Sequence, residues 1–303
     1  MSFIVACGGN GNDETDDKKI TKVNVALDWF PWSNHSGLFV AKERGYFAEE
    51  GLDVNIYTPA NPATVLQTVA AGSDDFGISY QMEVLLARAS DIPVISIAAL
   101  VQHPLNSIMA LKESRIERPR DLAGKTIGYP DLPSDKAMLA AILEADGSSI
   151  DEVNLVNVGF DLVPALVGKK VDAILGAYWV HESIAAENLG YPVSIMRLEQ
   201  WGVPDFYELV LVTSEKKIDE NPDLVKSFLK ASAKGYKDAI ENPQGAIDVL
   251  FKMHPETDPE IERPGIELLV PLWIGDAPKF GWQEEAIWID FGNWMSTNGV
   301  ASE

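Results

Sequence analysis

From Lys22 onward the chain alternates short apolar runs with segments whose apolar residues recur at helical spacing. KVNVAL has the period of a half-buried strand, and LFVAKERGYF that of a helix stopping near Gly45. GLDVNIYTP, DFGISY and PVISIAALVQ are further strands, separated by the helical runs PATVLQTVAAG and MEVLLARAS. Strand and helix in alternation predict parallel strands joined by crossover helices, the α/β class.

A second series of the same kind follows SIMALKES. It runs through KTIGY, SDKAMLAAILEADG, VNLVNVG, LVPALVGKK, VDAILGAYW, HESIAAENLG and VSIMRLEQ. ELVLVTSEKK then supplies one more strand, and the remainder is mostly helical. The expected division is a tail over residues 1–19, one lobe from residues 20–111 plus 208–303, and a second lobe from residues 112–207. A unit inserted into another is joined to it by two chain crossings, so the lobes can hinge around a cleft. Strand C-terminal ends should face that cleft. DWFPWSNHS, ISYQME and GAYWVHE each follow a strand, and so bring aromatic and polar side chains toward one place.

Length agrees with this division, since 303 residues exceed the usual single domain. The 46 acidic residues against 24 basic ones give a net charge of −22, which opposes nucleic acid and anionic lipid as partners. No apolar run is long enough for a membrane-spanning helix. The single cysteine, Cys7, follows Ile4-Val5-Ala6 in a lipobox-like stretch and precedes the polar spacer GNGNDETDDKK. This predicts acylation at Cys7, with the chain beginning inside a signal peptide, and hence an extracytoplasmic, lipid-anchored protein. An accidental thiol in a solvated tail is the competing reading.

The runs DWFPWSNHSGLFVAKERGYFAEEGLDV, GSDDFGISYQMEVLLARA, DLAGKTIGY and VDAILGAYWVHE resemble the thiamine pyrimidine precursor group of the type II periplasmic-binding-protein fold. The resemblance covers about residues 20–250. It implies a two-lobed α/β fold, each lobe a central mixed sheet flanked by helices. It also implies a monomeric, non-enzymatic, cofactor-free receptor that delivers an aminopyrimidine to the membrane subunits of an ABC importer. Alternatives within the resemblance are a receptor for another flat heterocycle such as riboflavin, and a fungal pyrimidine synthase. That enzyme holds pyridoxal phosphate on a lysine, consumes its own histidine and carries the run CCCFC. Here the corresponding positions are Ser79, Glu83 and Val203 to Tyr207. Serine has no amine for a Schiff base, which argues against the enzyme.

An aminopyrimidine needs aromatic faces for stacking, acceptors for its exocyclic amine and donors for its ring nitrogens. Trp29, Tyr80, Tyr178 and Tyr207 are the aromatic candidates, Asp28, Glu83 and Glu182 the acceptors, and Asn34 and His35 the donors. No arginine or lysine occurs in the three cleft segments, which argues against nitrate, sulfonate and phosphate solutes. Each candidate has a structural alternative. Trp29, Trp32 and Tyr207 suit core or hinge packing, and His35 suits a turn. Asn34 and Ser36 suit a helix N-cap, and Glu83 the first turn of a helix. His181 is expected in solvent. The four histidines show no metal-ligand spacing, and no HExxH, GxSxG or P-loop is present.

Overall fold

The computed structural model of the protein describes residues 20–300, so the lipidation expected at Cys7 lies outside the described residues. Two sheets of five strands organise the chain. The first contains β1 (Thr21–Ala26), β2 (Leu52–Tyr57), β3 (Phe76–Ser79), β4 (Val94–Val101) and a late strand, Leu209–Ser214. The second contains β5 (Asn106–Leu111), β6 (Thr126–Tyr129), β7 (Asn154–Asn157), β8 (Ala173–Tyr178) and β9 (Val193–Arg197); the late strand of the first sheet is therefore β10. Strand orders are β2-β1-β3-β10-β4 and β7-β6-β8-β5-β9. Each sheet is mixed. β10 lies antiparallel between β3 and β4, and β5 antiparallel between β8 and β9, while the remaining neighbours are parallel. This is the two-lobed α/β fold expected from the pattern.

The boundaries differ from the expected ones at two places. The expected boundary leaves most of SIMALKES in the first lobe, yet residues 106–111 form β5, bonded along its length to β8 and β9. An apolar extended run carries no sign of which sheet will take it, so the pattern delayed the crossing by several residues. The C-terminal part is also not confined to the first lobe. In the helix Glu285–Thr297, Ile287 and Trp288 pack on the first-lobe core beside Val84 and Tyr207. Phe291 and Met295, one and two turns on, join the core built around Ile108, Ile127 and Leu175 of the second sheet.

The loop after β1 is held by helix packing. The helix Ser36–Glu43 crosses the helix Pro222–Glu241 where Gly37 and Gly235 meet. A Cβ on Gly235 would stand 2.1 Å from the Gly37 carbonyl oxygen, so no larger residue fits at this approach. Beside it the Tyr236 hydroxyl donates to the Asn34 carbonyl at 2.9 Å, fixing the loop from behind.

Candidate functional site

Three strand ends meet between the lobes, as expected. They enclose a cavity of about 540 Å³, counting the part that opens to solvent. The first lobe contributes Asp28, Trp29, Trp32, Tyr80 and Met82, and the second contributes Pro130, Leu132, Ser134, Asp135, Gly176, Tyr178 and Glu182. Asn106, Phe206 and Glu208 come from the two crossings.

Asp28 is buried at the end of β1, and both its oxygens are engaged within the first lobe. His35 Nε2 stands 2.8 Å from Oδ1, and the Tyr80 hydroxyl donates to Oδ2 at 3.0 Å. His35 Nδ1 accepts from the Trp32 backbone N–H at 3.3 Å, which places the imidazole proton on Nε2, facing Asp28. His35 thus supports Asp28 from behind and does not line the cavity. Asn34 does not line it either, and neither Asn34 nor Ser36 caps the next helix through its side chain. The start of that helix is instead a 3-10 turn, Ser33–His35, closed by the imidazole of His35.

Trp29 meets Phe160 of the second lobe edge-on at 4.4 Å. Trp32 lines the cavity and also stacks on His181 at 3.5 Å and 14°. It therefore stands both at the cavity wall and in the seam between the lobes. His181 is buried rather than solvated. Burial opposes its charge, but the carboxylates of Glu182 and Glu262 outweigh that and lift its pKa to about 9.

Tyr178 and Glu182 line the second-lobe wall. Glu182 Oε2 accepts from the Tyr178 backbone N–H at 2.7 Å, and Oε1 lies 3.4 Å from His181 Nδ1. The Tyr178 hydroxyl and Asn106 Oδ1 are buried without a hydrogen-bond partner, and both residues line the cavity. Such groups are costly unless something bonds to them.

Two expected residues lie elsewhere. The Tyr207 side chain is in the first-lobe core, where its hydroxyl accepts from the Glu284 backbone N–H at 2.7 Å. Its neighbours Phe206 and Glu208 face the cavity instead. Glu83 points into an adjoining chamber that shares Tyr80 and Leu132 with the main cavity. There Glu83 Oε1 accepts from both the backbone N–H and the hydroxyl of Ser134 across the cleft, and burial raises its pKa.

Glu208 and Asp135 line the cavity without being among the residues expected from the sequence. Glu208 Oε2 accepts from the backbone N–H groups of Leu105 and Asn106 at 2.7 and 2.9 Å, tying the two crossings together. Burial pushes Glu208 up to about 7 and Asp135 up to about 8. The cavity is therefore lined by aromatic rings and four carboxyl groups, two of them able to hold a proton near neutral pH. Among the described residues no lysine or arginine lines it.

The description "NMT1/THI5 like" matches residues 32–246. The chain belongs to the NMT1/THI5-like family. Among its relatives is a formylaminopyrimidine-binding protein of Halalkalibacterium halodurans, 36% identical over 99% of this chain and 94% of the relative. A 4-amino-5-hydroxymethyl-2-methylpyrimidine phosphate synthase of Saccharomyces cerevisiae, THI11, is 28% identical over 79% of this chain and 73% of the relative. The relatives thus include both a protein named for binding and one named as a synthase. The fold also matches the alkanesulfonate-binding protein SsuA of Xanthomonas axonopodis pv. citri with a TM-score of 0.70. That pair is 14% identical and covers 93% of this chain and 94% of SsuA, a likeness of fold alone.

Proposed function

We propose that the protein is an extracytoplasmic receptor for a formylaminopyrimidine-like thiamine precursor, which it presents to the membrane subunits of an ABC importer. The observation that carries this reading is the inter-lobe cavity, with aromatic walls, acidic acceptors and no basic side chain. A flat heterocycle stacks on indole and phenol rings, gaining about 0.5–1.5 kcal/mol per pair beyond area burial. Its exocyclic amine meets Glu182 and Asn106 Oδ1, both acceptors. Its ring nitrogens need donors, which the protonated carboxyls of Glu208 and Asp135 and the Tyr178 hydroxyl supply. Contacts from both lobes favour the closed arrangement, so capture and closure are coupled.

Sulfonate and nitrate receptors are disfavoured by the same cavity, since an anion finds carboxyl groups there and no guanidinium or ammonium partner. A pyridoxal phosphate enzyme is disfavoured by Ser79, which stands in β3 and lines the adjoining chamber with a hydroxyl where a Schiff base needs an amine. Acylation of Cys7 is part of the proposal and fits a receptor held near its importer. Calorimetric titration with formylaminopyrimidine, hydroxymethylpyrimidine, thiamine and riboflavin tests the reading. We expect the formylaminopyrimidine to bind most tightly; no heat with any of the four would overturn it. An absorbance band on mixing with pyridoxal phosphate would favour the enzyme.

A further inference from the structure

We infer that Glu262, on a C-terminal helix beyond the residues matched by the family, is a positioning residue of the ligand site. It would hold His181, and through it Trp32 and Glu182, in the closed arrangement of the lobes.

Glu262 lies in the first turn of the helix Pro259–Ile274 and is buried. Its two oxygens are divided between the lobes. Oε2 accepts from the Ser33 backbone N–H at 2.7 Å, in the first-lobe loop that carries Trp32. Oε1 stands 3.1 Å from His181 Nε2, in the second-lobe segment that carries Tyr178 and Glu182. The His181 ring in turn covers Trp32, and its Nδ1 faces Glu182 Oε1. One carboxylate therefore sets the relative position of two cavity walls without lining the cavity.

The surrounding contacts belong to the same seam. Asn188 Nδ2 donates to the Glu260 carbonyl at 3.0 Å, again from second lobe to first. A Cβ on Gly265 would stand 2.9 Å from the Val180 carbonyl oxygen, so the helix lies directly on the segment leading to His181. Ion pairing is local: His181 faces Glu182 on its own segment and Glu262 on the helix, while the nearby Arg263 is paired with Asp248. A charged His181 keeps Glu182 beside it in either arrangement and gains Glu262 only when the lobes are together. It therefore stabilises closure at neutral pH, and that contribution is lost as pH rises through about 9.

This inference rests on the receptor reading for its ligand, and the test separates the two. Formylaminopyrimidine is titrated from pH 6.5 to 10 into the wild type, Glu262→Gln, His181→Gln and the double variant, with thermal unfolding of each as a check on folding. We expect Glu262→Gln to bind about tenfold more weakly at pH 7.5 and to lose affinity at lower pH than the wild type. His181→Gln should remove the part of the alkaline loss that falls near pH 9, leaving the part that Glu208 and Asp135 give between about 7 and 8, and the double variant should bind no worse than His181→Gln alone. A Glu262→Gln protein with wild-type affinity and pH profile, or strictly additive losses, would overturn the inference. If the wild type binds no pyrimidine, the receptor reading fails, and small-angle scattering without ligand then decides. A smaller radius of gyration for the wild type than for either single variant at pH 7.5, lost above pH 9, supports the inference; equal radii overturn it.

Discussion

The segment after β1 keeps its carboxylate bonded inside its own lobe, whereas the segment after β8 sends its histidine across the cleft. Asp28 is held by His35 and Tyr80, both of the first lobe. His181 finds Trp32 and Glu262 only on the other side. The carboxylate of one wall is thus positioned before the lobes meet, and the histidine of the other only by their meeting. The difference teaches where stability and affinity should separate: changes in the first wall affect the fold, and changes in the second affect binding.

The largest effect is expected at the first wall. Asp28→Ala leaves the His35 and Tyr80 donors buried without an acceptor and should lower unfolding free energy by about 3 kcal/mol in denaturant titration. A stability equal to the wild type would erase the distinction. Glu182→Gln is the counterpart: affinity for formylaminopyrimidine should fall about 10- to 100-fold, as for loss of a charged hydrogen-bond acceptor, with the thermal midpoint nearly unchanged. Unchanged affinity would remove the second-lobe carboxylate from the ligand's partners.

Glu208, at the crossing between the walls, sharpens the comparison through pH. Its folded pKa is raised from 4.5 to about 7, so the folded protein keeps a proton that the unfolded chain releases. Its contribution therefore makes stability fall as pH rises from about 4.5 to about 7 and leaves it flat above. Glu208→Gln should flatten that part of the profile by a few degrees in thermal midpoint. An identical profile in the variant would show that another group carries the slope. The smallest effect belongs to Tyr207→Phe, which removes one acceptor from the Glu284 N–H and should cost about 1 kcal/mol of stability. Binding should be unaffected, and a loss of affinity would restore Tyr207 to the site.

Periodicity and punctuation revealed the strands, their alternation with helices and the three strand ends that meet at the cleft. Asp28, Trp29, Tyr80, Tyr178 and Glu182 could be read because each stands at or just beyond such an end. Tyr207 was misplaced because β10 is buried on both faces, so its apolar run has no alternation to tell which of Phe206, Tyr207 and Glu208 faces the cavity. The useful signal was the acid immediately before that run. Glu83 was misplaced for a helical reason: one residue is about 100° of turn, enough to put Met82 in the main cavity and Glu83 in its neighbour. His181 was unreadable locally, since its partner Glu262 lies 81 residues further along the chain.

The helix Glu285–Thr297 carries a consequence for the order in which the molecule is made. Phe291 and Met295 are fully buried against a core whose other members were largely synthesised far earlier, between Ile108 and Phe206. During synthesis those earlier residues emerge long before the side chains that complete their packing. A nascent second lobe keeps an apolar face uncovered until Phe291 and Met295 arrive, the interval in which a holding chaperone would matter most.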